Sequence, residues 1–176
     1  MAILKKAAAF TRRLAAALPL LALAPAHAGP SEYEIKAAFI YQIARLVEWP
    51  ANVGVPMRLC ILGDDPFGAA LDSIRGRPVG ARSLEVALPG AGVPLHECAL
   101  LFVAAPAEKS LDRVVALSRG AGMLTIGDTE GFAQRGAMVN FFLDGDKVRF
   151  EINRNAVRQG GLRISSKLLS LARLVD

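Results

Sequence analysis

The spacing of apolar positions along the chain changes several times. From Glu32 onward apolar residues recur at intervals of three and four. Ile35, Phe39, Ile43 and Leu46 line one face, and Tyr33, Ala37, Ile40, Ala44 and Val47 line an adjoining one. That period predicts a helix. Ser31-Glu32-Tyr33-Glu34 opens it as a capping box, with serine at the cap and glutamate three residues on. Trp49-Pro50 stops it near Val47, because the residue before a proline avoids helical backbone. The two faces leave only a narrow polar strip around Lys36 and Arg45, more apolar cover than a surface helix needs. Two explanations follow. The helix is sandwiched in the core, or it also meets another subunit through Ile35, Phe39, Ile43 and Leu46.

Beyond this helix the runs shorten. "MRLCILG" reads as a strand, and "DDPFGAALDSI" as a short helix with Asp at its cap and Pro66 in its first turn. "RSLEVAL" alternates as a half-buried strand does, whereas "ALLFVAA" is continuously apolar, as a strand buried on both faces would be. "PAEKSLDRVVALSRG" predicts a helix and "GMLTIGD" a strand. Strand and helix alternating at these lengths imply parallel strands with crossover helices. "AMVNFFLDGDKVRFEI" departs from this, with Asp144-Gly145 as a hairpin turn. In its second arm Val148, Phe150 and Ile152 alternate with Lys147, Arg149 and Glu151, which predicts one wet face. The expected architecture is a single α/β domain: a mainly parallel sheet ending in an antiparallel hairpin, with helices covering the sheet.

The last stretch, "NRNAVRQGGLRISSKLLSLARLVD", raises a chemical question through Ser165, Ser166 and Lys167. Asn155 to Gln159 reads as one or two helical turns ended by Gly160-Gly161, and Ser165 or Ser166 as the cap of a terminal helix through Leu168, Leu171, Ala172 and Val175. A serine–lysine hydrolase would need a base set beside the nucleophile and donors for an oxyanion. Ser165 and Lys167 are two residues apart and cannot share a helix face. The cap is the better reading.

The opening "MAILKKAAAFTRRLAAALPLLALAPAHA" carries a basic segment, a short apolar run and an Ala26-His27-Ala28 cleavage signal, the three parts of a secretory leader. Residues 1–28 are therefore expected to be removed, with an uncleaved membrane anchor as the alternative, and 29–176 to form the domain. Of the chain's 176 residues this leaves 148, enough for one sizeable core. It also lowers the charge. The leader holds four of the 21 Lys and Arg and none of the 16 acids, so the remainder stands at 17 against 16, or +1. Neither that balance nor an exported location suits a nucleic-acid partner. The two cysteines, Cys60 and Cys98, enter an oxidising space. A bridge between them and a pair of buried free thiols both remain open. No metal site emerges, since His96-Glu97-Cys98 has no second spaced ligand group.

Candidate chemistry is sparse. "CILGDD" and "LTIGDTEG" put acids directly after parallel strands, at the edge where open α/β sheets bind ligands. Asp64, Asp65, Asp128 and Glu130 could gather there around a magnesium ion or a cationic ligand. The plainer alternative is that these acids cap the segments that follow. No phosphate-cradling loop occurs and His96 has no nucleophile beside it, so neither a cofactor nor a catalytic centre is expected. Basic residues crowd the end of the chain, among them Arg154 and Arg158, either as a solvated face or as a surface for an acidic partner.

Two long segments carry a resemblance. "YEIKAAFIYQIARLVEWP" and "FEINRNAVRQGGLRISSKLLSLARLV", with "LCILGDDPFG" and "GMLTIGDTEGFAQRGAMVNFFLDGDKVRFEIN" between them, resemble the YfiR family over residues 32–175. The resemblance implies a periplasmic, dimer-forming α/β protein that represses an inner-membrane diguanylate cyclase by binding its periplasmic part. It also implies that an outer-membrane lipoprotein can relieve the repression by sequestering the repressor. Cys60 and Cys98 match a family bridge, while the second cysteine pair that relatives can carry near the hairpin is missing here. The first helix and the region of Arg154 and Arg158 are the nominated contact surfaces. The competing expectation is a periplasmic small-ligand sensor that uses the strand-end rim.

Overall fold

The computed structural model describes residues 29–51, 53–88 and 91–176. The expected leader, residues 1–28, lies outside the described residues. Helix α1, Glu32–Leu46, begins as its capping box requires. Ser31 accepts from the Glu34 backbone N–H, and Glu34 accepts from the Ser31 N–H at 2.6 Å. It runs directly into β1, Val47–Glu48. There follow β2 (Met57–Leu62), β3 (Pro78–Val79), β4 (Arg82–Ala87), β5 (Leu100–Val103), α2 (Leu111–Ser118) and β6 (Leu124–Gly127). The hairpin strands β7 (Val139–Asp144) and β8 (Lys147–Asn153), then α3 (Arg154–Gln159), β9 (Arg163–Ile164), α4 (Ser166–Leu169) and β10 (Arg173–Val175) complete the chain.

Among the described residues eight strands form one sheet in the order β10-β8-β7-β6-β5-β2-β4-β3, and β1 pairs with β9 separately. The strands from β4 through β2, β5 and β6 to β7 are mutually parallel. The β7–β8 hairpin is antiparallel. The mainly parallel sheet with a terminal hairpin is the architecture the hydrophobic pattern predicts.

Because side chains alternate across a strand, the central strands feed two cores. Leu59, Ile61, Leu100, Phe102, Leu124 and Ile126 point to the side covered by α1, where Ile40, Ile43 and Ala44 are fully buried. Cys60, Leu101 and Val103 point to the other side, against Leu111 and Val114 of α2. Cys60 and Cys98 are joined in a disulfide with Cα atoms 5.8 Å apart, so the bridge rather than the free-thiol pair is what forms. It ties β2 to the residue pair leading into β5.

Several local expectations are corrected. The "DDPFGAALDSI" segment is a 3₁₀ turn at Gly68–Ser73 with no side-chain cap, because Asp65 is spent on a tight turn, accepting from the Phe67 N–H at 2.8 Å. The two-residue hairpin loop is Gly145-Asp146, since Asp144 still pairs with Lys147. Gly145 has φ +57°, as the first central position of such a loop favours. The terminal helix is a single turn, α4, after which the chain straightens into β10 parallel to β8. That added strand overturns the wet face expected at Glu151, which is 1% exposed. Lys36, assigned to a polar strip, is also buried, at 4% exposure.

Ser165 does cap α4, accepting from the Leu168 N–H at 3.3 Å, while Lys167 lies exposed. Among the described residues the Ser165 hydroxyl has no hydrogen bond to a side-chain base.

A candidate ligand cleft built on buried charges

The position of Lys36 follows from helical geometry. It lies three residues after Tyr33 and four before Ile40, in the middle of the buried stripe rather than beside it. A buried ammonium must be paired, and two carboxylates meet it. Lys36 Nζ donates to Asp128 Oδ2 at 2.7 Å and to Glu32 Oε1 at 2.5 Å. The Tyr33 hydroxyl donates to the same Asp128 oxygen at 3.1 Å, and the ammonium stands 4.4 Å from the Tyr33 ring centre. Burial alone would push the Lys36 pKa down. The hydrogen bonds to Asp128 and Glu32 outweigh it and hold the pKa above its ordinary value. Burial also raises the Tyr33 pKa, helped by the negative charge of Asp128.

The second buried acid, Glu151, sits on β8. Arg173 from β10 donates to Glu151 Oε2 through Nε at 2.9 Å and also through its terminal nitrogen. Asn140 of β7 and Gln134 add amide donors at 3.3 and 3.4 Å. The guanidinium of Arg173 lies 4.0 Å from the Phe142 ring centre, within cation–π range.

These two clusters share one cleft of about 600 Å³, lined by Glu32, Lys36, Asp128 and Glu130 together with Asn140, Phe142, Glu151 and Arg173. Its size is ordinary for a small-molecule site. Of the four acids expected to gather at the strand ends, only Asp128 and Glu130 line it. Asp65 serves its own turn and Asp64 is exposed.

The cause is packing at the β2–β5 crossover point. There a Cβ on Gly63 would stand 2.9 Å from the Cβ of Ala107, and Phe67 folds over Phe102 with ring centres 4.7 Å apart. The usual crevice is thus filled, and the opening lies further along the sheet, beyond β6. Asp128 does not cap a following helix either, because Lys36 and Tyr33 claim it. Among the described residues no group of three or more potential metal ligands comes together.

The remaining nominated residues lie elsewhere. Ile43 is fully buried inside the chain, and Ile35, Phe39 and Leu46 are half-buried against the same core. Arg154 and Arg158 of α3 are exposed. They edge a second groove of about 290 Å³, floored by Ile152, Val157, Leu162, Ile164 and Leu169. Arg154 is paired with Asp176 at 2.6 Å, which raises the pKa of the arginine and lowers that of the acid. Sequence reading missed Lys36, Glu151 and Arg173. A lysine inside an apolar stripe was the one available signal. Arg173 could not be placed without β10.

Such a sheet, with helices on both faces and a polar cleft beyond its strand ends, defines an open α/β fold covered on both sides. Residues 33–173 match the YfiR/HmsC-like family, and the chain belongs to that family. It is a family of periplasmic regulatory proteins connected with diguanylate-cyclase signalling. Among solved structures, a conserved domain protein from Vibrio cholerae is similar at 13% identity with a TM-score of 0.56, over 83% of this chain and 60% of that one. An ABC domain from Streptococcus pneumoniae, crystallised with L-Trp, is similar at 10% identity with a TM-score of 0.51, over 77% of this chain and 59% of that one. The chain thus spans about three fifths of each of these proteins, and at these identities the likeness concerns the fold. Among the described residues no helix is long and apolar enough to cross a membrane.

Proposed function

We propose that this protein is an exported repressor that binds the periplasmic part of an inner-membrane diguanylate cyclase and lowers cyclic di-GMP signalling. Family membership carries this reading. The groove beside α3 supports it, because an apolar floor ringed by Arg154, Arg158 and Arg163 has the composition of a protein contact surface. Repression by binding requires only that the repressor hold the inactive cyclase more tightly than the active one. No chemistry is needed. Release by an outer-membrane lipoprotein and self-association through the half-buried Phe39 and Leu46 are further parts of the proposal. Crosslinking and capture of the tagged protein from its host's periplasm test it. Recovery of a membrane protein with a cyclase domain, reduced by Arg154→Glu with Arg158→Glu, is the expected result. Recovery of soluble envelope proteins alone would sink the partner assignment.

The cleft favours a second reading, a periplasmic small-ligand sensor. Its observation is that two buried carboxylates, Asp128 and Glu151, line one opening.

A further inference from the structure

The charges on the cleft do not balance. Glu32, Asp128, Glu130 and Glu151 oppose only Lys36 and Arg173. Lys36 is shared by Glu32 and Asp128, and Arg173 is matched to Glu151. Two negative charges are therefore left over, one at the Lys36 cluster and one on the exposed Glu130. An acidic lining alone would not make a site, but two further observations point to a cation.

The first is Asn140. It is 1% exposed and lines the cleft. Its Nδ2 donates to Glu151, while its Oδ1 has no donor partner among the described residues. A buried acceptor without a donor is costly, and a ligand N–H would satisfy it. The second is that a cation already sits there. The Arg173 guanidinium rests on Glu151 and 4.0 Å from the Phe142 ring centre. Carboxylate and aromatic face together make the environment that selects guanidinium and ammonium groups. Arg173 is delivered by a three-residue edge strand and remains 57% exposed at its side chain, so it can swing into water. Glu151, at 1%, cannot follow it.

We infer that the cleft binds a small linear organic dication, a diamine or guanidino-amine. One charged end replaces Arg173 on Glu151, Asn140 and Phe142, and the other lies between Glu130 and the Lys36 cluster. This rests on the ligand-cleft reading and not on the cyclase partner. It is read on the purified protein alone, so its failure leaves the repressor proposal standing, and the reverse also holds.

Isothermal titration calorimetry of the exported protein with putrescine, agmatine and uncharged 1,4-butanediol tests it. Saturable binding of putrescine or agmatine and none of butanediol is expected. Glu151→Gln nearly keeps the shape of the site but removes its charge and turns one of its two acceptor oxygens into a donor, and should weaken binding about tenfold or more. Glu130→Gln, on an exposed residue, should weaken it about two- to fivefold. Arg173→Ala removes the internal competitor and should tighten binding. Silence from both cations at millimolar concentration would overturn the inference. So would equal binding of butanediol, an affinity untouched by both Glu variants, or weaker binding in Arg173→Ala.

Discussion

Replacing Lys36 with methionine is the sharpest perturbation of the buried charge cluster, because it removes the ammonium and nearly preserves the side-chain volume. It strands Asp128, whose side chain is 9% exposed, with only the Tyr33 hydroxyl as partner. Glu32, at 39% exposure, can turn to water and costs little. Breaking a buried pair from one side costs about 3–5 kcal/mol. The partial exposure of Asp128 and its retained bond to Tyr33 argue for the lower end, about 3 kcal/mol. In a domain of this size that is a fall in Tm of roughly 6–12 °C. Urea unfolding followed by circular dichroism measures it, with an unchanged slope expected. Adding Asp128→Leu removes the stranded charge, so the double variant should lie within about 1 kcal/mol of the parent. A Lys36→Met protein within about 0.5 kcal/mol of the parent, or strict additivity in the double variant, would refute the pairing argument.

Three further outcomes follow from the same structure. Changing Cys60 and Cys98 to alanine, which opens a bridge across 38 residues, should cost about 4 kcal/mol in the chain-entropy account, measured as the shift in urea midpoint. Gly127→Ala would bring a Cβ within 2.2 Å of the Phe132 ring; the resulting overpacking should cost about 1–3 kcal/mol and lower the Tm accordingly. Lys36 and Tyr33 both have folded pKa values raised above their unfolded ones. Their contribution to stability is therefore complete below about pH 10 and lost as pH rises through the folded values. Stability measured from pH 8 to 11.5 should fall at the alkaline end, and the fall should be shallower in Lys36→Met.

Local period and turn chemistry made most of the architecture legible in the sequence. The capping box of α1, the doubly buried β5 and the hairpin arms are all local signals, and each lies where its pattern puts it. What escaped was decided by contacts distant in sequence. Leu171 and Val175 fit a helical spacing, yet the last three-residue strand gains backbone partners along β8 that a frayed terminal helix would lack. Once β10 is added, Glu151 is covered and Arg173 has a partner 22 residues away. The same dependence hid Lys36. Its meaning rests on Asp128, 92 residues on, and only the folded sheet brings the two together. Asp64 and Asp128 look alike in sequence, each following a strand that ends in glycine. They part company because Phe67 and Ala107 fill the crevice beside the first.

Cyclic di-GMP in the protein's own host reads the proposed restraint of a cyclase directly. Deleting the chain should raise the cellular level, and restoring the exported wild type should lower it again. An exported, stably folded Arg154→Glu, Arg158→Glu protein should fail to restore it. A cyclic di-GMP level that is the same with and without the protein would contradict the account.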